Sequence, residues 1–157
     1  MTEVILVDPK YPAVKFGPFG RRSENDQCWK TFEALHVIWI DGEQKFDFTV
    51  PKGFLNDMGS VPRGLWWYIP PTGPGNIGFI AHDYAYSDHP GPIDQNGVGM
   101  TREQADDMMK DLLEHGGMRA DRRFVAWRGV RRGGWLSWKK EPPKYMVGKK
   151  KRRMLDA

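Results

Sequence analysis

Cysteine is nearly missing from this chain, with Cys28 its single instance. An internal disulfide framework and a cysteine-rich zinc site are thereby excluded, and the fold must stand on packing alone. Long apolar runs are missing too. The longest near the start, Val4-Ile5-Leu6-Val7, is flanked by Glu3 and Asp8 and is too short for the core of a signal peptide or for a membrane span. The expectation is a soluble chain made in the cytoplasm. No internal repeat is visible. With 157 residues, 39% of them apolar and 13% aromatic, there is material for one domain with a real core but not for two.

Acidic residues are scarce only at one end. Residues 1–118 carry ten Lys and Arg against seventeen Asp and Glu, whereas residues 119–157 carry fourteen against three. In that basic end Arg122, Arg123, Arg128, Arg131 and Arg132 interleave with Phe124, Trp127, Trp135 and Trp138, and Lys149-Lys150-Lys151-Arg152-Arg153 follows. Such a pattern suits nucleic acid or an anionic surface, through counterion release and aromatic stacking. A solvated tail that balances an acidic body fits equally. Pro142-Pro143 is a natural boundary, dividing a single domain, 1–143, from a basic C-terminal tail, 144–157.

What is present points to an α+β fold, an N-terminal antiparallel hairpin or small sheet packed on about three C-terminal helices. Val4 to Val7 reads as a short strand and Pro9 to Gly20 as an irregular connection. Cys28 to Ile40 is of β-favouring type, Phe46, Phe48 and Val50 alternate with polar residues, and Asp41-Gly42 between them predicts a hairpin that stops at Pro51. His36 in the first strand reads as a half-exposed residue without chemistry. Asn76 is placed to cap a helix of about three turns. On its wheel Ile77, Ile80, Ala81 and Tyr84 share one face, and Phe79, His82, Asp83 and Tyr86 the other, so both sides look buried. Thr101 and Gln104 have capping-box spacing ahead of a second helix whose apolar residues are Ala105, Met108, Met109, Leu112 and Leu113, ending at Gly116. Asp106 lies on the border of that stripe and Asp107 faces solvent. A last helix should run from Asp121 to Gly133-Gly134, with Ala120, Phe124, Trp127 and Val130 inward and Arg128 and Arg131 at its margin.

A His-Asp pair in apolar surroundings is the chemical signal, because polar groups are expensive to bury unless their hydrogen bonds are satisfied. The bland reading is a histidine tied to a backbone carbonyl. Asp57, in the proline-braced loop Val50 to Arg63, can serve as a second carboxylate for His82, as a metal ligand, or as the cap of its own turn. Ser60 lacks the Gly-x-Ser-x-Gly elbow of a nucleophilic serine. Gly64 to Tyr68 should be core or pocket wall. His82, Asp57, Asp106 and Arg128 are expected to converge, since inward charges on separate elements are stable only when they meet.

The combination Val50-Pro51-x-Gly53-Phe54-x-x-Asp57-x-Gly59-Ser60-Val61-Pro62-Arg63, His82-Asp83-Tyr84-x-Tyr86, Arg102-x-x-Ala105-Asp106 and Arg128 before Trp135 resembles a family of uncharacterised proteins encoded by bacteriophages and prophages. The resemblance implies a phage-related protein and no particular activity. Part of the pattern is also similar to secretory and parvoviral phospholipases. Those use a His-Asp-x-x-Tyr helix, the histidine activating water, the next aspartate binding calcium and a later aspartate orienting the histidine. By that resemblance His82 is the base, Asp106 its orienter, Asp83 the ligand of a divalent cation such as calcium, and Gly73-Pro74-Gly75-Asn76 the calcium loop. Here, however, Asn76 stands only six positions before His82, closer than in those lipases, and their usual disulfides are absent.

Two functions follow as expectations. One is a metal-assisted ester or amide hydrolase acting on the host envelope, with His82, Asp106, Asp57 and Tyr86 catalytic, Asp83 on the metal, and Arg63 and Arg128 binding. The other is a non-catalytic virion component of the tail, baseplate or connector, in which the same cluster is a satisfied buried network and the basic tail grips neighbouring virion proteins. Either would be made in the host cytoplasm, and the second incorporated in the virion.

Overall fold

The computed structural model describes residues 1–18, 27–56, 63–70, 73–87 and 91–138. Among these, two three-stranded antiparallel sheets precede three α-helices, an α+β architecture with strands and helices segregated along the chain. The first sheet contains β1 (Thr2–Asp8), β4 (Leu35–Asp41) and β5 (Gln44–Val50), in the order β1-β4-β5. The second contains β2 (Val14–Pro18), β3 (Gln27–Thr31) and β6 (Leu55–Asn56), in the order β2-β3-β6.

The β4–β5 hairpin follows from the alternation of its residues. Its register sets Leu35 against Val50, Val37 against Phe48 and Trp39 against Phe46, so the apolar side chains of both strands share one face and are buried there. Gly42 takes a φ of +59° at the turn, a left-handed conformation that glycine adopts without a Cβ clash. The β-favouring run from Cys28 to Ile40, expected as one strand, instead divides at Phe32 and sends β3 and β4 to different sheets. Long-range bonds impose the break: Thr31 N donates to Phe54 O at 3.0 Å, Phe32 N to Ala13 O at 2.8 Å, and Ala13 N to the Glu33 carboxylate at 2.8 Å. Local propensity carries no trace of such partners. For the same reason the Pro9 to Gly20 stretch, expected to be irregular, supplies β2.

Helix α1 (Asn76–Tyr86) is entered through a 3-10 turn, Gly73–Gly75, and its N-cap is Gly75 rather than Asn76. Asn76 is instead the first helical residue, and its buried amide donates from Nδ2 to Pro12 O at 3.0 Å, tying the helix start to the β1–β2 connection. Helix α2 (Arg102–His115) has the expected capping box between Thr101 and Gln104, and Gly116 at its end. The two helices touch through Gly78, where a Cβ would stand 2.7 Å from the Leu113 side chain and 3.0 Å from Met109 O. Only a residue without a side chain permits this approach, and one turn further along it brings His82 within reach of α2.

Helix α3 (Ala120–Trp138) continues through Gly133-Gly134, where it was expected to stop, and packs against α2. Ala126 is buried and Trp127 and Val130 partly so, but Phe124 is 54% exposed, which corrects its assignment to the core. Among the described residues no helix is long and apolar enough to cross a membrane. The Pro142-Pro143 boundary and the tail 144–157 lie outside the described residues.

Candidate functional site

His82 and Tyr86 are one helical turn apart on α1 and reach across to α2, where both meet the same atom. His82 Nε2 lies 2.9 Å from Asp106 Oδ1, and the Tyr86 hydroxyl donates to that oxygen at 2.6 Å. The second carboxylate oxygen faces two guanidinium groups. Arg102 Nη1 donates to Asp106 Oδ2 at 3.5 Å from one turn earlier on α2, and Arg131 Nε lies 3.4 Å away, at ion-pair distance but without hydrogen-bond geometry. The Asp106 side chain has no exposed surface and that of His82 only 5%. The Tyr86 ring centroid lies 4.1 Å from that of His82, and Trp138 meets Tyr86 edge-on at 5.0 Å.

An isolated carboxylate would be costly at such depth, and the donors and guanidinium groups around Asp106 offset that cost. Arg131 is itself anchored, through Nη2, to Asp107 Oδ1 at 2.8 Å and to Glu103 O at 3.3 Å, and Arg102 Nη1 donates to Arg131 O at 3.3 Å. Burial, followed by the hydrogen bond and charge of Asp106, raises the Tyr86 hydroxyl far above its ordinary pKa, so it remains a donor. A carboxylate only accepts, so the hydrogen between His82 and Asp106 belongs to Nε2. With that hydrogen on Nε2, a neutral ring has its lone pair on Nδ1. That nitrogen is buried and has no hydrogen-bond partner among the described residues.

Of the residues expected to converge, His82 and Asp106 do, and Tyr86, a further catalytic candidate, joins them. Arg128 does not: it is exposed, with its Cζ 5.6 Å over the Phe124 ring, and Arg131 and Arg102 take the place assigned to it. Arg102 was readable from the sequence, because it stands four positions before Asp106 on one helix. Asp107 is also corrected, since rather than facing solvent alone it accepts from Trp127 Nε1 at 3.0 Å as well as from Arg131. Asp57 and Ser60 lie outside the described residues, as does the side chain of Arg63, whose backbone opens a 3-10 turn, Arg63–Leu65. Trp66 packs with Phe16 and Trp29, with ring centroids 6.0 Å from each, but its neighbour Trp67 is 77% exposed.

Among the described residues no group of three or more His, Cys, Asp or Glu side chains is arranged to hold an ion. The Gly73–Gly75 segment, compared above with a calcium loop, is a turn that runs directly into α1. Asp83 stands on α1 directly after His82, and Asp57, the other carboxylate considered for a metal, lies outside the described residues. His36, in β4, pairs with Asp47 across the hairpin at 2.7 Å.

No curated protein and no solved structure matches the chain. Residues 32–130, well over half its length, match the model of a family described as a protein of unknown function (DUF1353), a span that contains His82, Tyr86 and Asp106. The chain belongs to this DUF1353 family.

Proposed function

We propose that the protein hydrolyses an ester or amide bond, with His82 as general base. The observation that carries this reading is the asymmetry of the imidazole: Nε2 is held by a buried carboxylate, while Nδ1 is buried and has no hydrogen-bond partner among the described residues. A histidine kept only for structure is expected to satisfy both nitrogens, because a buried unpaired acceptor costs about 1 to 3 kcal/mol. In the proposed reaction Nδ1 takes a proton from water as the water oxygen attacks the carbonyl carbon. The proton then passes to the departing alkoxide or amine, leaving a carboxylic acid and an alcohol or amine. Asp106 stabilises the intermediate imidazolium, and Tyr86, Arg102 and Arg131 keep its carboxylate from turning away. The phage resemblance of the motifs supports the host envelope as the source of the substrate, with the enzyme made in the host cytoplasm.

A second reading is favoured by the depth of the cluster. With the Asp106 carboxylate wholly buried, the same bonds pin three helices together and suit a virion tail, baseplate or connector component without catalysis. One experiment separates the two. Hydrolysis of short- and long-chain p-nitrophenyl esters is measured beside thermal melts for the wild type and for His82→Ala and His82→Gln. The enzyme reading expects a fall of about 100-fold or more in kcat/KM with a near-native melt. A wild type without esterase or amidase activity, with a melt that falls sharply on His82→Ala, would leave the structural reading in its place.

A further inference from the structure

Leu65, Trp67, Phe124 and Val125 are large apolar side chains left exposed. The first two stand in the segment that meets α3 through Tyr68, and the last two on α3 itself. The Tyr68 hydroxyl donates to Asp121 Oδ2 at 3.0 Å, which fastens the segment from Leu65 to Tyr68 against the first turn of α3, and the Trp67 and Tyr68 rings are 5.6 Å apart. One turn along α3, Phe124 and Val125 face outward, and the exposed Arg128 and Arg132 continue that face at helical spacing. Clustered exposure of this kind marks an interaction site more often than chance. Its charge is one-sided. From Arg119 to Arg132 the sole acidic residue is Asp121, which is already engaged by Tyr68 and, at 3.2 Å, by Arg119.

We propose that this surface docks on an anionic phospholipid bilayer. Trp67, Phe124, Leu65 and Val125 would enter the boundary between headgroups and acyl chains, and Arg122, Arg128 and Arg132 would meet the lipid phosphates. Two observations favour lipid over nucleic acid. The Arg122 Cζ lies 5.4 Å over the Tyr68 ring and that of Arg128 5.6 Å over Phe124, so guanidinium groups cover ring faces on which bases would stack. Leu65 and Val125, moreover, offer no π-face and gain only from a hydrocarbon partner. A second copy of the chain is disfavoured by charge, because a two-fold contact through this face sets its arginines against each other.

The test is co-sedimentation of the full chain with vesicles of phosphatidylcholine, and of phosphatidylcholine mixed with phosphatidylglycerol. It is independent of any catalysis. Partition onto the mixed vesicles is expected to exceed that onto the neutral ones and to weaken as salt is added. The double change Trp67→Ser and Phe124→Ser alters no charge, at this surface or in the basic tail, and should lower partition about tenfold. Arg128→Gln and Arg132→Gln should each lower it about fivefold. All four residues are on the surface, so circular dichroism and melting should stay native; should the double variant fail to fold, Trp67→Ser alone carries the test. Partition unchanged by the aromatic substitutions would overturn the proposal by placing binding in charge alone. So would failure to bind vesicles, whether accompanied by capture of a single-stranded oligonucleotide or by a dimer that these substitutions dissolve.

Discussion

Two His-Asp pairs of nearly equal length sit in opposite surroundings in this molecule. On the outer face of the β4–β5 hairpin His36 Nε2 lies 2.7 Å from Asp47 Oδ1, with the side chains 39% and 51% exposed; between α1 and α2 His82 Nε2 lies 2.9 Å from Asp106 Oδ1, at 5% and 0%. The shorter contact is the weaker device. Water screens the hairpin pair and solvates either partner once the other leaves, so little is lost when it breaks. Water does neither for Asp106, and its carboxylate gathers a tyrosine and two arginines besides the histidine. Separation alone says little about what a pair is worth. What decides is the fate of the group left behind.

The largest expected effect follows from that. Asp106→Ala strands the His82, Tyr86, Arg102 and Arg131 donors at once and should lower stability by about 3 to 5 kcal/mol, read as a shifted midpoint in urea with an unchanged slope. Asp106→Asn keeps an acceptor and should lose less. A loss below about 1 kcal/mol for the alanine would put the buried pair on a level with the exposed one and end the contrast between them.

Next in size is a comparison within α3. Arg131→Ala removes a cation beside Asp106 and one of two donors to Asp107, and should cost about 1 to 2 kcal/mol; Arg128→Ala, three residues earlier and exposed, should stay within about 0.5 kcal/mol. Equal costs would mean that the placement of α3 against α2 is wrong by part of a turn. This pair of variants also tests the step at which reasoning from sequence went astray. By sequence Phe124 reads as inward and Arg128 as marginal, near enough to the buried face to meet an inward carboxylate. In the folded chain both lie outside, the guanidinium over the ring.

The elements that could be read in advance are those whose cause is local. The hairpin announces itself in the alternation of Phe46, Phe48 and Val50 and in Gly42, and the start of α2 in the Thr101 and Gln104 capping pair. The meeting of His82 with Asp106 was legible for a related reason. Each is a polar residue on or beside the buried face of a strongly patterned helix, and a buried charge must find a partner. What escaped was decided at a distance. The division of the Cys28 to Ile40 run depends on Ala13 and Phe54, and the inward rotation of α3 on which residues α2 offers it, Asp106 and Asp107 among them. Neither can be found within a short window of sequence.

The smallest effect completes the comparison from its weak side. His36→Ala should change stability by at most about 1 kcal/mol, because His36 and Asp47 are both substantially exposed and either can be hydrated when the other is removed. Whatever change appears should shrink further at high salt, where a screened pair contributes less, while the effect of Asp106→Ala should hardly respond, since ions do not penetrate to a carboxylate with no exposed surface. The measurement is a pair of urea melts for each variant, at low and at high sodium chloride. If His36→Ala proves as damaging as Asp106→Ala and equally indifferent to salt, then burial is not what separates the two pairs, and the depth of His82 loses its claim to mark a site.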